Sequence, residues 1–137
     1  MEKKDGISLK NSSLIVVVDD DQSVREALEN LISSVGYEVK LFGSAEAFLD
    51  SDALASTDCA VLDFRLPGIS GVELQRKLVA DGRNIPGIII TAQGDDQAQA
   101  EAAAAGAIAF IKKPFKEAVL LAAIESALKE SRNDEMY

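Results

Sequence analysis

Leu14-Ile15-Val16-Val17-Val18-Asp19-Asp20 sets five aliphatic residues directly against two carboxylates. A run this short and this rich in β-branched side chains predicts a buried strand, so the acidic pair stands at a strand end. Three further runs share the arrangement. Cys59-Ala60-Val61-Leu62 leads into Asp63, Ile88-Ile89-Ile90 into Thr91, and Ala107-Ile108-Ala109-Phe110-Ile111 into Lys112-Lys113. As neighbouring strands of one parallel sheet, these runs would deliver three carboxylates, a hydroxyl and an ammonium to a single edge. Such a set suits a metal ion and a phosphoryl group.

Between the strands lie stretches of helical period. Val24, Leu28, Leu31, Ile32 and Val35 mark the first helix, which Gly36 ends. Tyr37 to Phe42 alternates as a strand, and Ser44 opens a helix expected to bury Ala45, Phe48, Leu49 and Ala53. After Asp63 comes the turn Leu66-Pro67-Gly68. Ser70-Gly71-Val72-Glu73 is then a capping box, in which each side chain satisfies a backbone donor of the other, ahead of a core face of Val72, Leu74 and Leu78. The fourth strand is predicted over Ile85 to Thr91. A helix from Asp95 to Ala105 follows with no apolar side chain larger than alanine, which predicts an element held loosely against the sheet. Gly106 separates it from the fifth strand, and the last helix, from near Phe115, is expected to bury Val119, Leu121, Ile124 and Leu128.

Five β-α units in succession predict a doubly wound α/β fold, an open five-stranded parallel sheet with helices on both faces and strand order 2-1-3-4-5. Ligands bind at the switch point of such a sheet, outside the carboxyl ends of the first and third strands. Asp19, Asp20 and Asp63 are the residues predicted there. The chain divides into a polar lead-in, residues 1–13, one domain over 14–130, and a polar tail over 131–137 that is expected to fray.

Composition bounds the chemistry. The 137 residues suit one domain, and 14 Lys and Arg against 23 Asp and Glu leave a formal net charge of −9, which argues against this chain itself gripping nucleic acid or an anionic membrane. With no signal-like or membrane-spanning stretch and the single cysteine, Cys59, inside a strand, a soluble cytoplasmic protein is expected. There is no histidine. Any metal must therefore be held by oxygen, which favours a hard cation such as Mg²⁺.

Val18-Asp19-Asp20-Asp21, Leu62-Asp63-Phe64-Arg65-Leu66-Pro67-Gly68-Ile69-Ser70-Gly71, Ile90-Thr91-Ala92 and Ile111-Lys112-Lys113-Pro114-Phe115 resemble, in order and spacing, the motifs of response-regulator receiver domains. The match runs from about Leu14 to Leu128 and looks most like the FixJ-type subgroup. The resemblance implies that Asp63 takes a phosphoryl group from a phosphohistidine of a sensor histidine kinase. It further implies that Asp19, Asp20, Asp63 and the Arg65 carbonyl hold Mg²⁺, with Asp21 left to cap a helix. Lys113, ahead of a cis peptide bond to Pro114, would pair with a phosphoryl oxygen, and Thr91 would bond to the phosphoryl group by its hydroxyl. Phe110 matches the aromatic switch position. Arg65 and Gln93 match the positions that flank the attacking water. The face built from the fourth helix, fifth strand and fifth helix would then switch for homodimerisation or for a downstream effector. FixJ-type receivers commonly precede a DNA-binding domain, so a stand-alone receiver and part of a longer regulator both remain open.

A second reading is enzymatic. Asp19-Asp20-Asp21-Gln22-Ser23 also fits a D-x-D-x-[ST] pattern of haloacid-dehalogenase phosphatases, with Asp19 as nucleophile. That scheme leaves the Asp63 motif without a role. Asp19→Asn would silence a phosphatase, whereas Asp63→Asn would silence a receiver.

Overall fold

The computed structural model describes residues 13–92 and 96–136, with side chains of the last helix described to residue 130. Its strands are β1 (Leu14–Val18), β2 (Glu38–Phe42), β3 (Cys59–Asp63), β4 (Gly87–Thr91) and β5 (Ala109–Lys112). Helices α1 (Gln22–Ser33), α2 (Ala45–Leu49), α3 (Gly71–Ala80), α4 (Asp96–Ala104) and α5 (Glu117–Met136) alternate with them, and a 3₁₀ turn, Asp52–Ser56, continues α2. All pairings are parallel, in the order β2-β1-β3-β4-β5. This is the predicted fold and strand order.

Period-two alternation within the strands builds two cores on opposite faces. Leu14, Val16 and Val18 of β1 point with Ala60, Leu62 and Ile89 toward α2, α3 and α4. Ile15 and Val17 point with Cys59, Val61, Ile88 and Ile90 toward α1 and α5. Every residue of β1 is buried, as a central parallel strand requires, while Glu38 and Lys40 keep charge on the exposed edge strand β2. No helix among the described residues is long and apolar enough to cross a membrane.

Several local expectations are corrected. α5 buries Leu120, Ile124, Ala127 and Leu128, while Val119 is 48% exposed and Leu121 half-buried. The stripe at i, i+4, i+7 and i+8 runs through an alanine, which a search for large apolar residues passes over. Val35 is 42% exposed because α1 stops at Ser33, before its face returns to the sheet. β4 begins at Gly87 and not at Ile85, since the carbonyl of Pro86 is the first group there to join the ladder, accepting from the Ala60 amide. β5 begins at Ala109, because the Ala107 amide still closes the preceding helix on the Ala102 carbonyl. The backbone of 131–136 continues α5. Residues 1–12 of the lead-in lie outside the described residues.

Candidate functional site

Asp19 follows β1 directly, and its surroundings hold it from four sides. Its amide donates to the Phe42 carbonyl at 3.0 Å, which fastens it to the end of β2. Arg25, one turn into α1, donates from Nη1 to the Asp19 carbonyl at 2.6 Å. Oδ1 accepts from the Asp21 amide at 2.9 Å, and Oδ2 lies 3.7 Å from Lys113 Nζ. The residue is 3% exposed. Asp20 is exposed beside it, and Asp21 caps α1, accepting from the amides of Ser23 and Val24 and from the Ser23 hydroxyl. These bonds to the ionised form hold the Asp21 carboxyl below its usual range.

Asp63 ends β3, next to β1 in the sheet. The first turn of α3 sits on its backbone: Gly71 lies so close that a side chain there would collide with the Asp63 carbonyl. Only glycine allows the capping box of Ser70 and Glu73 to begin α3 at this point. The Asp63 carboxyl is half-buried and is pushed up to about 6, first by burial, then by Asp19 and more weakly by Asp20, against the opposing pull of Lys113 and of a bond from the Arg65 amide.

Thr91 ends β4 and is 1% exposed, and its carbonyl accepts from the Lys113 amide at 2.7 Å. That bond carries the chain from β5 over the sheet edge and into the cis Lys113–Pro114 bond. Asp19, Asp20 and Asp63 each offer an oxygen, and the three oxygens lie within 4.8 Å of one another. Carboxylates about 4 Å apart repel by roughly 4 kcal/mol at an effective dielectric of 20. A hard divalent cation bound by oxygen relieves that repulsion, so the donor set fits Mg²⁺.

The fold thus gathers Asp19, Asp20, Asp63 and Lys113 at one edge, with Thr91 on the adjoining strand end and the Arg65 amide turned to Asp63. Phe110 stands apart from this edge. It is half-buried on the α4 side of β5, beside a cavity of about 150 Å³ that Gln99, Ala102, Ala103 and Ala107 also line. Gln93 lies outside the described residues. Cys59 is fully buried and its thiol is pushed up to about 12, which removes it as a nucleophile. Arg25 was missed in the sequence. Its signal was there: a cation in the first turns of a helix, at the positive end of the dipole, needs a nearby acceptor.

A family model described as "Response regulator receiver domain" matches residues 15–125. The response regulator protein TmoT of Ectopseudomonas mendocina is 48% identical over 117 residues, covering 85% of this chain and 53% of that protein. The transcriptional regulatory protein FixJ of Bradyrhizobium diazoefficiens is 41% identical over 117 residues, covering 85% and 57% respectively. The chain spans about half the length of the curated relatives it matches. Among solved structures, the response regulator StyR superposes with a TM-score of 0.83 at 46% identity, covering 91% of this chain and 63% of that one. A FixJ N-terminal structure gives 0.78 at 41%, covering 86% and 94%.

Proposed function

The chain belongs to the response regulator receiver domains, signalling phosphoacceptors of two-component systems and not a class of enzyme, and on that premise we propose that Asp63 is its phosphoacceptor. The observation that carries this reading is the convergence of Asp19, Asp20 and Asp63 at one sheet edge with Lys113 Nζ 3.7 Å from Asp19. The donor is a phosphohistidine of a sensor histidine kinase. An Asp63 carboxylate oxygen forms a bond to phosphorus as the N–P bond breaks, and the bonding pair leaves with the imidazole nitrogen. With its carboxyl at about 6, Asp63 is mostly ionised at neutral pH and able to attack.

Asp19, Asp20, Asp63 and the Arg65 carbonyl would hold Mg²⁺. Bound there, the ion supplies positive charge against both the carboxylates and the phosphoryl oxygens. Lys113 pairs with a phosphoryl oxygen and Thr91 bonds to another through its hydroxyl, because phosphoryl transfer is governed by positioning and charge neutralisation. As Thr91 moves toward the new group, Phe110 turns into the space vacated behind β4, and the α4, β5 and α5 face changes for homodimerisation or an effector protein. The cavity beside Phe110 and the small side chains of α4 support that motion. The receiver unit is residues 14–130, it acts in the cytoplasm, and it touches neither nucleic acid nor membrane itself.

Intact mass after incubation with acetyl phosphate and Mg²⁺ tests the assignment. A gain of one phosphoryl group that requires Mg²⁺ and vanishes in Asp63→Asn is expected. A gain retained in that variant, or none in the wild type with Mg²⁺ binding established, would overturn it. Hydrogen exchange in α4 that stays unchanged on phosphorylation would refute the switch.

A further inference from the structure

α2 carries none of the residues that bind metal or phosphoryl group, yet it reaches the loop between β3 and α3. Glu46, its second residue, accepts from the Ile69 amide through Oε2 at 3.1 Å across 23 residues of sequence. The neighbouring residue is shaped for this contact. Gly68 has a φ of 74°, and a Cβ there would stand 2.5 Å from Glu46 Oε2. The positive φ is what calls for glycine here, and the close approach records how near the loop runs to the Glu46 carboxylate.

The loop is also held from inside: Leu66 is buried in the core, Phe64 and Ile69 pack against it, and the Gly71 amide donates to the Phe64 carbonyl at 3.2 Å. Phe64 joins the sheet through its amide, which donates to the Ile90 carbonyl at 2.8 Å, and the Arg65 amide bonds to Asp63. At the far end, Ser70 and Glu73 close the capping box. Between these ends the exposed Glu46 adds a polar hold at Ile69 to the apolar one at Leu66. Phe48 of the same helix is fully buried and packs against Phe42, with ring centroids 5.4 Å apart and the planes tilted by 42°. The carbonyl of that same Phe42 holds the Asp19 amide. The Asp19 turn and the β3–α3 loop thus each make one hydrogen bond to the junction of β2 and α2.

We infer that Glu46 is a positioning residue of the metal site, holding the β3–α3 loop so that the Arg65 carbonyl faces Asp19, Asp20 and Asp63. The inference rests on the phosphoacceptor reading above. Partners that orient metal ligands typically change metal affinity by tenfold or more when removed. What matters at position 46 is an acceptor at the right reach, and its charge is secondary.

Mg²⁺ titration followed by NMR on wild type, Glu46→Ala, Glu46→Asp and Glu46→Gln tests this, alongside acetyl phosphate labelling and exchange of the Ile69 amide. Expected for the alanine and aspartate variants is Mg²⁺ binding weaker by about tenfold, faster Ile69 exchange, and slow labelling that recovers at saturating Mg²⁺. The glutamine variant, which keeps an acceptor at the same reach, should stay close to wild type. Wild-type Mg²⁺ affinity in Glu46→Ala would overturn the inference. So would a loss in Glu46→Gln as large as in Glu46→Ala, since charge alone would then be responsible. If the wild type itself neither binds Mg²⁺ nor accepts the phosphoryl group, the phosphoacceptor reading fails and takes this inference with it.

Discussion

α3 and α4 pack on the same face of the sheet and are nearly equal in length, yet they are attached by different means. α3 opens with a complete capping box and buries Val72, Leu74 and Leu78, together with the amide side chain of Gln75 against Gly87. α4 buries Ala98 and Ala102. Burying a leucine contributes about 2–3 kcal/mol, whereas an alanine methyl contributes roughly 0.8 kcal/mol. The first helix is fixed by its contacts. The second presents only alanine to the core among its described residues, and alanine also favours helix. The division follows the work expected of each side: α3 begins against the Asp63 backbone and must not move, while α4 flanks Phe110 and has room to.

Three measurements bear on this contrast. The largest effect should come from Leu78→Ala in α3, which removes a fully buried side chain and should cost about 3 kcal/mol in denaturant unfolding. A cost below about 1 kcal/mol would mean that α3 is not the anchored partner. Next, native-state hydrogen exchange should show α4 amides exchanging about a hundredfold faster than those of α3, equivalent to roughly 2.7 kcal/mol of local stability. Equal protection would remove the distinction.

The smallest effect concerns the acidic edge against which α3 is fixed. Asp63 has its carboxyl raised from 3.8 to about 6 in the folded chain, so folding favours the protonated form. The resulting contribution to stability is fully present below pH 3.8 and is lost as pH rises through about 6. Asp63→Asn should therefore gain on the wild type across that interval and stand about 1 kcal/mol more stable at pH 7 without Mg²⁺. Solvent screening at this half-buried group cuts the larger value that the full rise would imply. Thermal unfolding of both proteins across this pH interval checks it. A difference that does not change with pH would show that the carboxylates are not strained in the folded state.

Much of this arrangement was legible in the chain. β1 and β4 are legible as short β-branched runs, β2 by its alternation and β3 and β5 as short apolar runs, and the polar residues after β1, β3, β4 and β5 mark one edge of the sheet. Ser70 and Glu73 identified a helix start by local chemistry, and the absence of large side chains in α4 was plain. The rotation of α5 was misread because Ala127 completes its stripe while Val119, the larger residue, points outward. Hydrophobicity identifies candidates for burial, but the sheet chooses among them.

Whatever depends on neighbours along the chain is written in the chain: strands, caps, the succession of β-α units, and the set of Asp19, Asp20, Asp63, Thr91 and Lys113 at strand ends. With all strands parallel in the order β2-β1-β3-β4-β5, those strand ends lie along one edge of the sheet. Which distant groups meet follows from the closed fold, as when Arg25 donates to the Asp19 carbonyl, Glu46 accepts from the Ile69 amide, and Gly71 lets a helix rest on Asp63. It also decided the raised carboxyl of Asp63, because burial and the field of neighbouring charges exist only once the chain has closed around them.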